Sequence, residues 1–236
     1  MVYTSGTTGP PKGVVLTHSN LEAQMAVLSE SWGWRFEDRI TNVLPLHHLH
    51  GINNVLGCGL WNGATVAMPG GPFDARRTWE SFPSSTVFMA VPTVYSKLVK
   101  EWESRDDDER RELTRTASQL RLMVSGSAAL PEPVMAEWER VSTHVLLERY
   151  GMTEIGMALS NPLHGERRPG KVGTPLPSGS EKRVMGSHHS LERGSPVISL
   201  ESPRVSTTSR EFPLICVWTG RSSLVSRSRR VDPFLL

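Results

Sequence analysis

The sequence has little cysteine: only Cys58 and Cys216 in 236 residues. Two distant thiols give neither a disulfide framework nor the paired spacing of a zinc site, and such scarcity is typical of a reducing compartment. Long apolar runs are also missing, since stretches such as Val87–Val91 are far too short to cross a bilayer. No signal or transit peptide precedes the first motif. The scarcity of cysteine and the lack of long apolar runs argue against a disulfide-stabilised or membrane-spanning protein.

A strong excess of charge is absent as well. The net charge of +2 gives no reason to expect nucleic acid or a membrane surface as a partner. The charge is unevenly distributed, because residues 1–180 hold 17 Lys/Arg against 19 Asp/Glu and residues 181–236 hold 9 against 5. With 38% apolar and 21% charged residues, the composition is that of a globular protein with a core of ordinary size.

Short β-branched runs alternate with helical patterns along the first three quarters of the chain. This alternation predicts an α/β fold with a mostly parallel sheet and flanking helices, in which ligands bind at the carboxyl ends of the strands. The charged run of residues 103–112 is interpreted as a solvated helix face or loop without a function. The predicted strands are Val14–Leu16, Ile40–Leu44, Thr65–Met68, Thr86–Val91, Leu120–Val124 and Val145–Glu148, and the predicted helices are Ser19–Ser31, Asp74–Ser81, Thr93–Trp102 and Pro131–Val141.

The character of the sequence changes near residue 178. Ser178–Leu236 is rich in scattered Ser, Arg and Pro, and no stretch of it keeps a helix or strand period. The segment "EFPLICVWTG" is compatible with one strand, but no neighbouring segment is predicted to pair with it. We therefore expect a domain over residues 1–177 and a poorly ordered tail over 178–236.

The stretch "YTSGTTGPPKG", Tyr3–Gly13, has the composition of a phosphate-binding loop. Its glycines allow backbone N–H groups to surround phosphate oxygens, its hydroxyls add donors, and Lys12 adds a mobile charge. A nucleotide P-loop of the form G-x-x-x-x-G-K-[ST] is excluded, because Pro11 replaces its second glycine and Gly13 stands where its metal-binding hydroxyl belongs. The sequence therefore predicts a polyphosphate loop of another kind.

Four motifs in order resemble the adenylate-forming enzymes, the superfamily of acyl-CoA synthetases, luciferases and peptide-synthetase adenylation domains. The resemblance covers about residues 2–177, and it implies the fold of the large domain of those enzymes, of which this chain would hold a part. The motifs are "YTSGTTGPPKG", "SGSAALP" (Ser125–Pro131), "ERYGMTEIG" (Glu148–Gly156) and "GKVGTPLP" (Gly170–Pro177).

The resemblance also implies ATP, Mg²⁺ and coenzyme A as ligands, and a role for each motif. The first loop would hold the β- and γ-phosphates, Thr153 would bond the α-phosphate, and Glu154 would ligate Mg²⁺ through a carboxylate that suits a hard cation. Lys12, Thr153 and Glu154 would thus be catalytic, and the adenine would lie against Tyr150. The implied nucleotide-binding residues are Thr4, Ser5, Gly6, Thr7, Thr8, Gly9, Lys12, Ser127, Ala128, Ala129, Tyr150, Gly151, Met152 and Thr153.

The acid substrate is predicted from two further sites. In "PLHHLHG", Pro45–Gly51, a zinc site is an alternative, but no carboxylate or cysteine lies nearby at a suitable spacing, and substrate contact or gating by His48 is preferred. Arg149 presents a permanent charge that a fatty-acid pocket does not need and that a dicarboxylic acid does. A structural salt bridge is the alternative for this arginine. Together these motifs resemble malonyl-CoA synthetases of the vertebrate mitochondrial type, which implies malonate as the acid and mitochondria as the compartment of the family.

The resemblance stops near Pro177. The ribose-binding aspartate, the hinge and the small domain with its adenylation lysine have no recognisable counterpart in the tail. We expect the chain to be a fragment that is inactive alone. Two interpretations stay open: a malonate-directed acid–CoA ligase, with a medium-chain fatty acyl-CoA synthetase as its variant, or a non-catalytic nucleotide-binding remnant.

Overall fold

The computed structural model describes residues 1–4 and 11–176, together with the backbone of residues 217 and 218. A π-helix, His50–Gly57, runs directly into the second α-helix, and a short 3-10 helix, Phe82–Ser84, follows the third. In the described part of the chain, no helix is long and apolar enough to span a membrane. The α-helices are α1 (His18–Ser31), α2 (Cys58–Trp61), α3 (Ala75–Ser81), α4 (Pro92–Glu103), α5 (Asp107–Ser118) and α6 (Glu132–Ser142).

The strands are β1 (Val2–Thr4), β2 (Lys12–Val14), β3 (Arg39–Thr41), β4 (Thr65–Ala67), β5 (Val87–Ala90), β6 (Leu122–Ser125), β7 (Leu147–Met152), β8 (Gly156–Ser160), β9 (Thr174–Pro175) and β10 (Val217–Trp218). One sheet contains eight of these, in the order β10-β4-β3-β5-β6-β7-β8-β9. Its pairs are parallel from β10 to β7 and antiparallel from β7 to β9. The remaining two, β1 and β2, form a separate antiparallel pair. The predicted α/β fold with a mostly parallel sheet is confirmed.

The core lies on both faces of the sheet because successive residues of each central strand point to opposite sides. In β5, Val87 and Met89 pack with residues of α1 and the π-helix, whereas Phe88 and Ala90 pack against α4 and α6. The second face is dominated by aromatic rings at edge or tilted angles, with centroids 4.9 to 5.7 Å apart. These rings are Trp79, Phe82, Phe88, Tyr95 and Trp138. Burial on two sides holds the carboxyl edge of the sheet rigidly.

The four predicted helices all form, each within one residue of its predicted bounds, and local hydrogen bonds explain where they start. The hydroxyl of Thr17 accepts from the N–H of Asn20 at 3.2 Å, and the Asn20 amide accepts from the N–H of Thr17 at 3.1 Å. This reciprocal capping box begins α1. Asp74 caps α3 by accepting from the N–H of Arg77 at 2.9 Å.

Other elements were predicted incompletely. The charged run continues into α5, whose N-cap is Asp106. Ion pairs between residues three positions apart, such as Arg115 with Glu112, follow along this helix. The strand expected at Val14–Leu16 lies instead at Lys12–Val14, because its partner is β1 across the loop. The expectation that "EFPLICVWTG" lacks a partner is also wrong, since the backbone of β10 pairs in parallel with β4. The remainder of residues 177–236 lies outside the described part.

Candidate functional site

The loops of the candidate site leave the carboxyl edge of the sheet. Strand β6 ends at Ser125, which pairs with Glu148 in β7, so the loop after β6 lies beside the last residues of β7. The π-helix, which begins at His50, packs into the same core cluster as residues of β6 and β7. These three segments bring together one arginine, one serine and one histidine, which we call the polar cluster: Arg149, Ser127 and His50.

Arg149 is the buried cation of this cluster. The residue is only 2% exposed. One guanidinium nitrogen, Nη2, donates to the hydroxyl of Ser127 at 3.3 Å, and Nε has no hydrogen-bond partner in the described part of the chain. Among the residues that the structure describes, no carboxylate pairs with it, which removes the salt-bridge alternative within that part of the chain. Burial lowers the pKa of Arg149 to about 10, so the group is still charged at neutral pH.

His50 completes the cluster from the other side. The residue is 4% exposed, and its Nδ1 lies 3.1 Å from the hydroxyl oxygen of Ser127. Burial, and secondly the charge of Arg149, lower the pKa of His50 well below its usual value, so the ring is neutral at pH 7. In the tautomer where Ser127 donates to Nδ1, the ring proton lies on Nε2, which has no partner. The cluster then presents two buried N–H donors, from Arg149 and His50, that lack acceptors among residues 1–4 and 11–176.

The backbone around the cluster is shaped to hold the guanidinium. Ser127 has φ +66°, a left-handed conformation that is costly for a residue with a side chain. Gly126 precedes it, and a Cβ there would overlap the guanidinium of Arg149. On the opposite side of β7, a carboxylate oxygen of Glu148 accepts from the N–H of Leu130 at 2.9 Å. Neighbouring residues of β7 therefore fix both ends of the loop from 126 to 130.

The residues predicted to bind the nucleotide lie in three described segments. Ser127, Ala128 and Ala129 are exposed in the loop after β6, and Tyr150, 46% exposed, follows Arg149 on β7. Gly151 and Met152 complete β7, and no Cβ fits at Gly151 because β8 crosses closely there. Thr153 and Glu154 form the turn between β7 and β8, with Glu154 exposed to solvent.

The predicted phosphate loop is described only at its two ends. Thr4 and Lys12 are opposite each other in the pairing of β1 with β2, and the hydroxyl of Thr4 donates to the carbonyl of Lys12 at 3.4 Å. The side chain of Lys12 is exposed. The loop residues between them that were assigned to phosphate, Ser5, Gly6, Thr7, Thr8 and Gly9, lie outside the described residues.

Glu154 is the residue assigned to Mg²⁺. Within residues 1–4 and 11–176, no group of three or more His, Cys, Asp or Glu side chains could hold a metal ion. A lone carboxylate at an exposed turn fits a Mg²⁺ ion that takes its other ligands from phosphate oxygens and water. It does not fit a resident structural ion.

His48 is the histidine predicted to contact the substrate. It is exposed, and its ring lies at a tilted angle to that of His47, with centroids 4.3 Å apart. Its assignment stays a prediction. Sequence reasoning missed His50, which is the histidine that reaches Ser127. A signal was present: of the three histidines, His50 is the one that directly precedes Gly51 and the mostly apolar stretch Val55–Trp61, so it is the nearest to the core in sequence. A Cβ at Gly51 would overlap the carbonyl of Pro45, and the tight turn there buries His50.

Comparison with known proteins adds three findings. The sequence profile described as "AMP-binding enzyme" matches residues 1–196. The chain is 54% identical over 194 residues to "Malonate--CoA ligase ACSF3, mitochondrial" of Xenopus laevis, covering 78% of this chain and 33% of that protein. The mouse protein of the same name (Mus musculus) is 53% identical over 205 residues, with 83% and 34% covered. The chain thus spans about a third of the length of these relatives.

Solved structures agree with the sequence matches. ATP-bound MatB from Rhodopseudomonas palustris superposes with a TM-score of 0.67 at 36% identity, covering 75% of this chain and 33% of that chain. A malonyl-CoA ligase in a complex with methylmalonyl-CoA and AMP gives a TM-score of 0.68 at 38% identity, covering 75% and 37%.

Removing the buried charge should stabilise the chain in the absence of ligands. Arg149→Met keeps much of the stem and eliminates a cation that lacks an acidic partner among the described residues, so we expect the free energy of unfolding to rise by about 1–3 kcal/mol. Urea unfolding at pH 7.5 measures it. Arg167→Met is the matched control, because Arg167 donates to the carbonyls of Pro162, Leu163 and Val145 and its loss should destabilise. An equal loss in both variants would contradict this account of Arg149.

The neutral His50 should make stability sensitive to acid. Because its pKa is lowered in the folded chain, the unfolded chain binds a proton first as pH falls below about 6.5. We expect the unfolding free energy to decrease there, by up to about 1.4 kcal/mol per pH unit from this group. His50→Asn, which can still reach Ser127, should flatten that slope, while His144, whose pKa burial also lowers, contributes in both proteins. The exposed His47→Asn is the control and should keep the full slope.

Proposed function

Because the chain belongs to the AMP-binding enzyme family, we propose that it carries the ATP-binding and acid-binding part of a malonate–CoA ligase. The observation that carries this proposal is the buried guanidinium of Arg149 with its unpartnered Nε. A second carboxylate on the substrate is the group that would pair with it. The relatives named above, which are malonate–CoA ligases by name, support the same choice.

The proposed reaction has two steps. In the first, one carboxylate oxygen of malonate attacks the α-phosphorus of ATP, and the bond to the β-phosphate oxygen breaks to release pyrophosphate. In the second, the thiol of coenzyme A attacks the acyl carbon, AMP leaves with the bonding electrons, and the thiol proton passes to solvent. Negative charge develops on phosphoryl oxygens in the first step, so cationic and N–H donors that face them lower its barrier.

We assign roles to the chain's own residues. The loop from Thr4 to Lys12 holds the terminal phosphates, with the Lys12 ammonium beside them, and Thr153 donates to the α-phosphate. Glu154 would hold Mg²⁺ together with phosphate oxygens, and the ion would neutralise charge on the departing pyrophosphate. Tyr150 offers its exposed ring to one face of the adenine, and we assign the exposed loop of Ser127, Ala128 and Ala129 to its other side. No residue is assigned to coenzyme A.

The choice of malonate over an aliphatic acid follows from the buried charge of Arg149. The lowered pKa of Arg149 corresponds to about 3 kcal/mol of penalty for its charged form. An apolar acyl tail against the guanidinium would leave that penalty uncompensated, whereas the distal carboxylate of malonate offsets it. In the tautomer with a proton on Nε2, the neutral ring of His50 adds a second donor to that carboxylate. A medium-chain fatty acid is therefore the poorer substrate.

The extent of the reaction performed by this chain alone is part of the proposal. We propose that it binds ATP and malonate. We also propose that ATP–pyrophosphate exchange by the chain alone is about 10²–10³ times slower than in a full-length relative. The reason is the adenylation lysine, a charge-stabilising group that has no recognisable counterpart in this sequence. Equal exchange rates would refute the slower rate and leave the ligand assignment intact. We further propose a mitochondrial location, as in the names of the vertebrate relatives.

Selectivity between acids tests the proposed substrate. Arg149→Met should weaken malonate binding by about 30-fold or more, because a charged carboxylate left without its buried partner costs at least about 2 kcal/mol. Butyrate, which has no second carboxylate, should bind the variant as well as it binds the unaltered chain. Calorimetric titration of each acid into the chain, saturated with the non-reacting analogue α,β-methylene-ATP, gives both affinities.

Arg167→Met is again the matched control, since Arg167 is a partly buried arginine held only by backbone carbonyls. It should leave the malonate-to-butyrate affinity ratio unchanged. A parallel drop for both acids in Arg149→Met would mean that Arg149 only supports the pocket, and the malonate assignment would be withdrawn.

A further inference from the structure

The side-chain amide of Gln24 joins helix α1 to the β7–β8 hairpin near its turn. The Oε1 of Gln24 accepts from the N–H of Met157 at 2.6 Å, and its Nε2 donates to the carbonyl of the same residue at 3.4 Å. The two residues are 133 positions apart in the sequence. One side chain therefore satisfies both backbone groups of a residue at the start of β8, much as a neighbouring strand would.

The backbone beside this contact leaves room only for glycine. Gly156 has φ +68°, and a Cβ there would lie 2.6 Å from the carboxamide of Gln24. The turn of Thr153, Glu154 and Ile155 directly precedes Gly156. The amide of Gln24 thus packs against the base of the turn that carries the proposed α-phosphate and Mg²⁺ groups.

A second hydrogen bond joins the same two elements farther from the turn. The indole N–H of Trp32, at the end of α1, donates to the hydroxyl of Ser160 at 3.1 Å. Between the two contacts, α1 advances eight residues, about 12 Å, and β8 advances three residues, about 10 Å. The similar lengths show that α1 lies along β8 in the same direction, with Gln24 at the end near the turn.

The start of α1 lies a few residues after Lys12, which belongs to the other segment assigned to ATP. Strand β2, which begins at Lys12, leads within three residues to Thr17, where the capping box fixes the first turn of the helix. A short path therefore runs along the backbone from Lys12 through the capped start of α1 to Gln24, and from Gln24 through its two hydrogen bonds to the hairpin.

We propose that Gln24 is a positioning residue that fixes the Thr153–Glu154 turn relative to Lys12 at the start of β2, so that both can contact one Mg²⁺–ATP. The inference rests on the proposed function for the identity of that ligand. A merely structural role would lower stability alone. A positioning role also predicts a loss of affinity that depends on the metal, because Glu154 is at the tip of the turn that Gln24 holds.

The test compares three variants of the full chain by calorimetric titration of ATP, with Mg²⁺ and with EDTA. Gln24→Met removes both hydrogen bonds and should weaken Mg²⁺–ATP binding by about tenfold, while ATP in EDTA changes less than about threefold. Gln24→Glu keeps an oxygen that accepts from the N–H of Met157 and should stay within about threefold of the unaltered chain. Ser160→Ala removes the distant contact, so it should lower the melting temperature and leave both affinities unchanged.

Hydrogen exchange provides a readout independent of nucleotide. The amide of Met157 should exchange faster in Gln24→Met and remain protected in Gln24→Glu. An equal loss of affinity with and without Mg²⁺, or the same pattern in Ser160→Ala, would overturn the positioning role and leave the proposed function standing. Failure of the unaltered chain to bind ATP under either condition would overturn the proposed function and, with it, this role for Gln24.

Discussion

The site is organised around a buried positive charge that the described part of the chain does not neutralise. Burial lowers the pKa of Arg149 to about 10, and among the described residues its Nε has no acceptor. Several features that are unfavourable by themselves make sense only in relation to it. Ser127 is in a left-handed conformation, Gly126 leaves space for the guanidinium, and His50 is kept neutral beside it. Such arrangements persist where a ligand supplies the missing interaction.

The sheet makes this arrangement possible because its register and its two-sided core fix side-chain directions. Glu148 and Arg149 are adjacent on β7, and they point to opposite sides of the strand. The first holds the loop after β6 through the N–H of Leu130, and the second lies under Ser127 in the same loop. The aromatic layer beneath the sheet, with Tyr95 donating from its hydroxyl to the carbonyl of Val124 at 2.8 Å, anchors the strand that leads into that loop. Burial of the core thus sets the position of the charge.

Much of this could be predicted from the sequence, where local signals agree with the tertiary structure. The helix starting after Thr17 and the buried run around Val87 are read correctly because capping and strand periodicity are local properties. The family resemblance located Arg149 and the turn at Glu154. The sequence did not distinguish His50 from His48, because that depends on how the chain turns at Gly51. Nor did it indicate the π-helix or the contact between Gln24 and Met157, which arises from packing across 133 residues. The domain boundary near residue 177 stays a prediction.

The central claim is that the guanidinium of Arg149 pairs with the second carboxylate of the substrate. A crystal structure of the chain with malonate and α,β-methylene-ATP tests it most directly. The account predicts one malonate carboxylate near the α-phosphorus and the other within about 4 Å of the guanidinium, the usual limit for an ion pair, with Nε2 of His50 facing the same carboxylate. A structure in which Arg149 pairs with an acidic side chain of the protein, while the second carboxylate points to solvent, would contradict it.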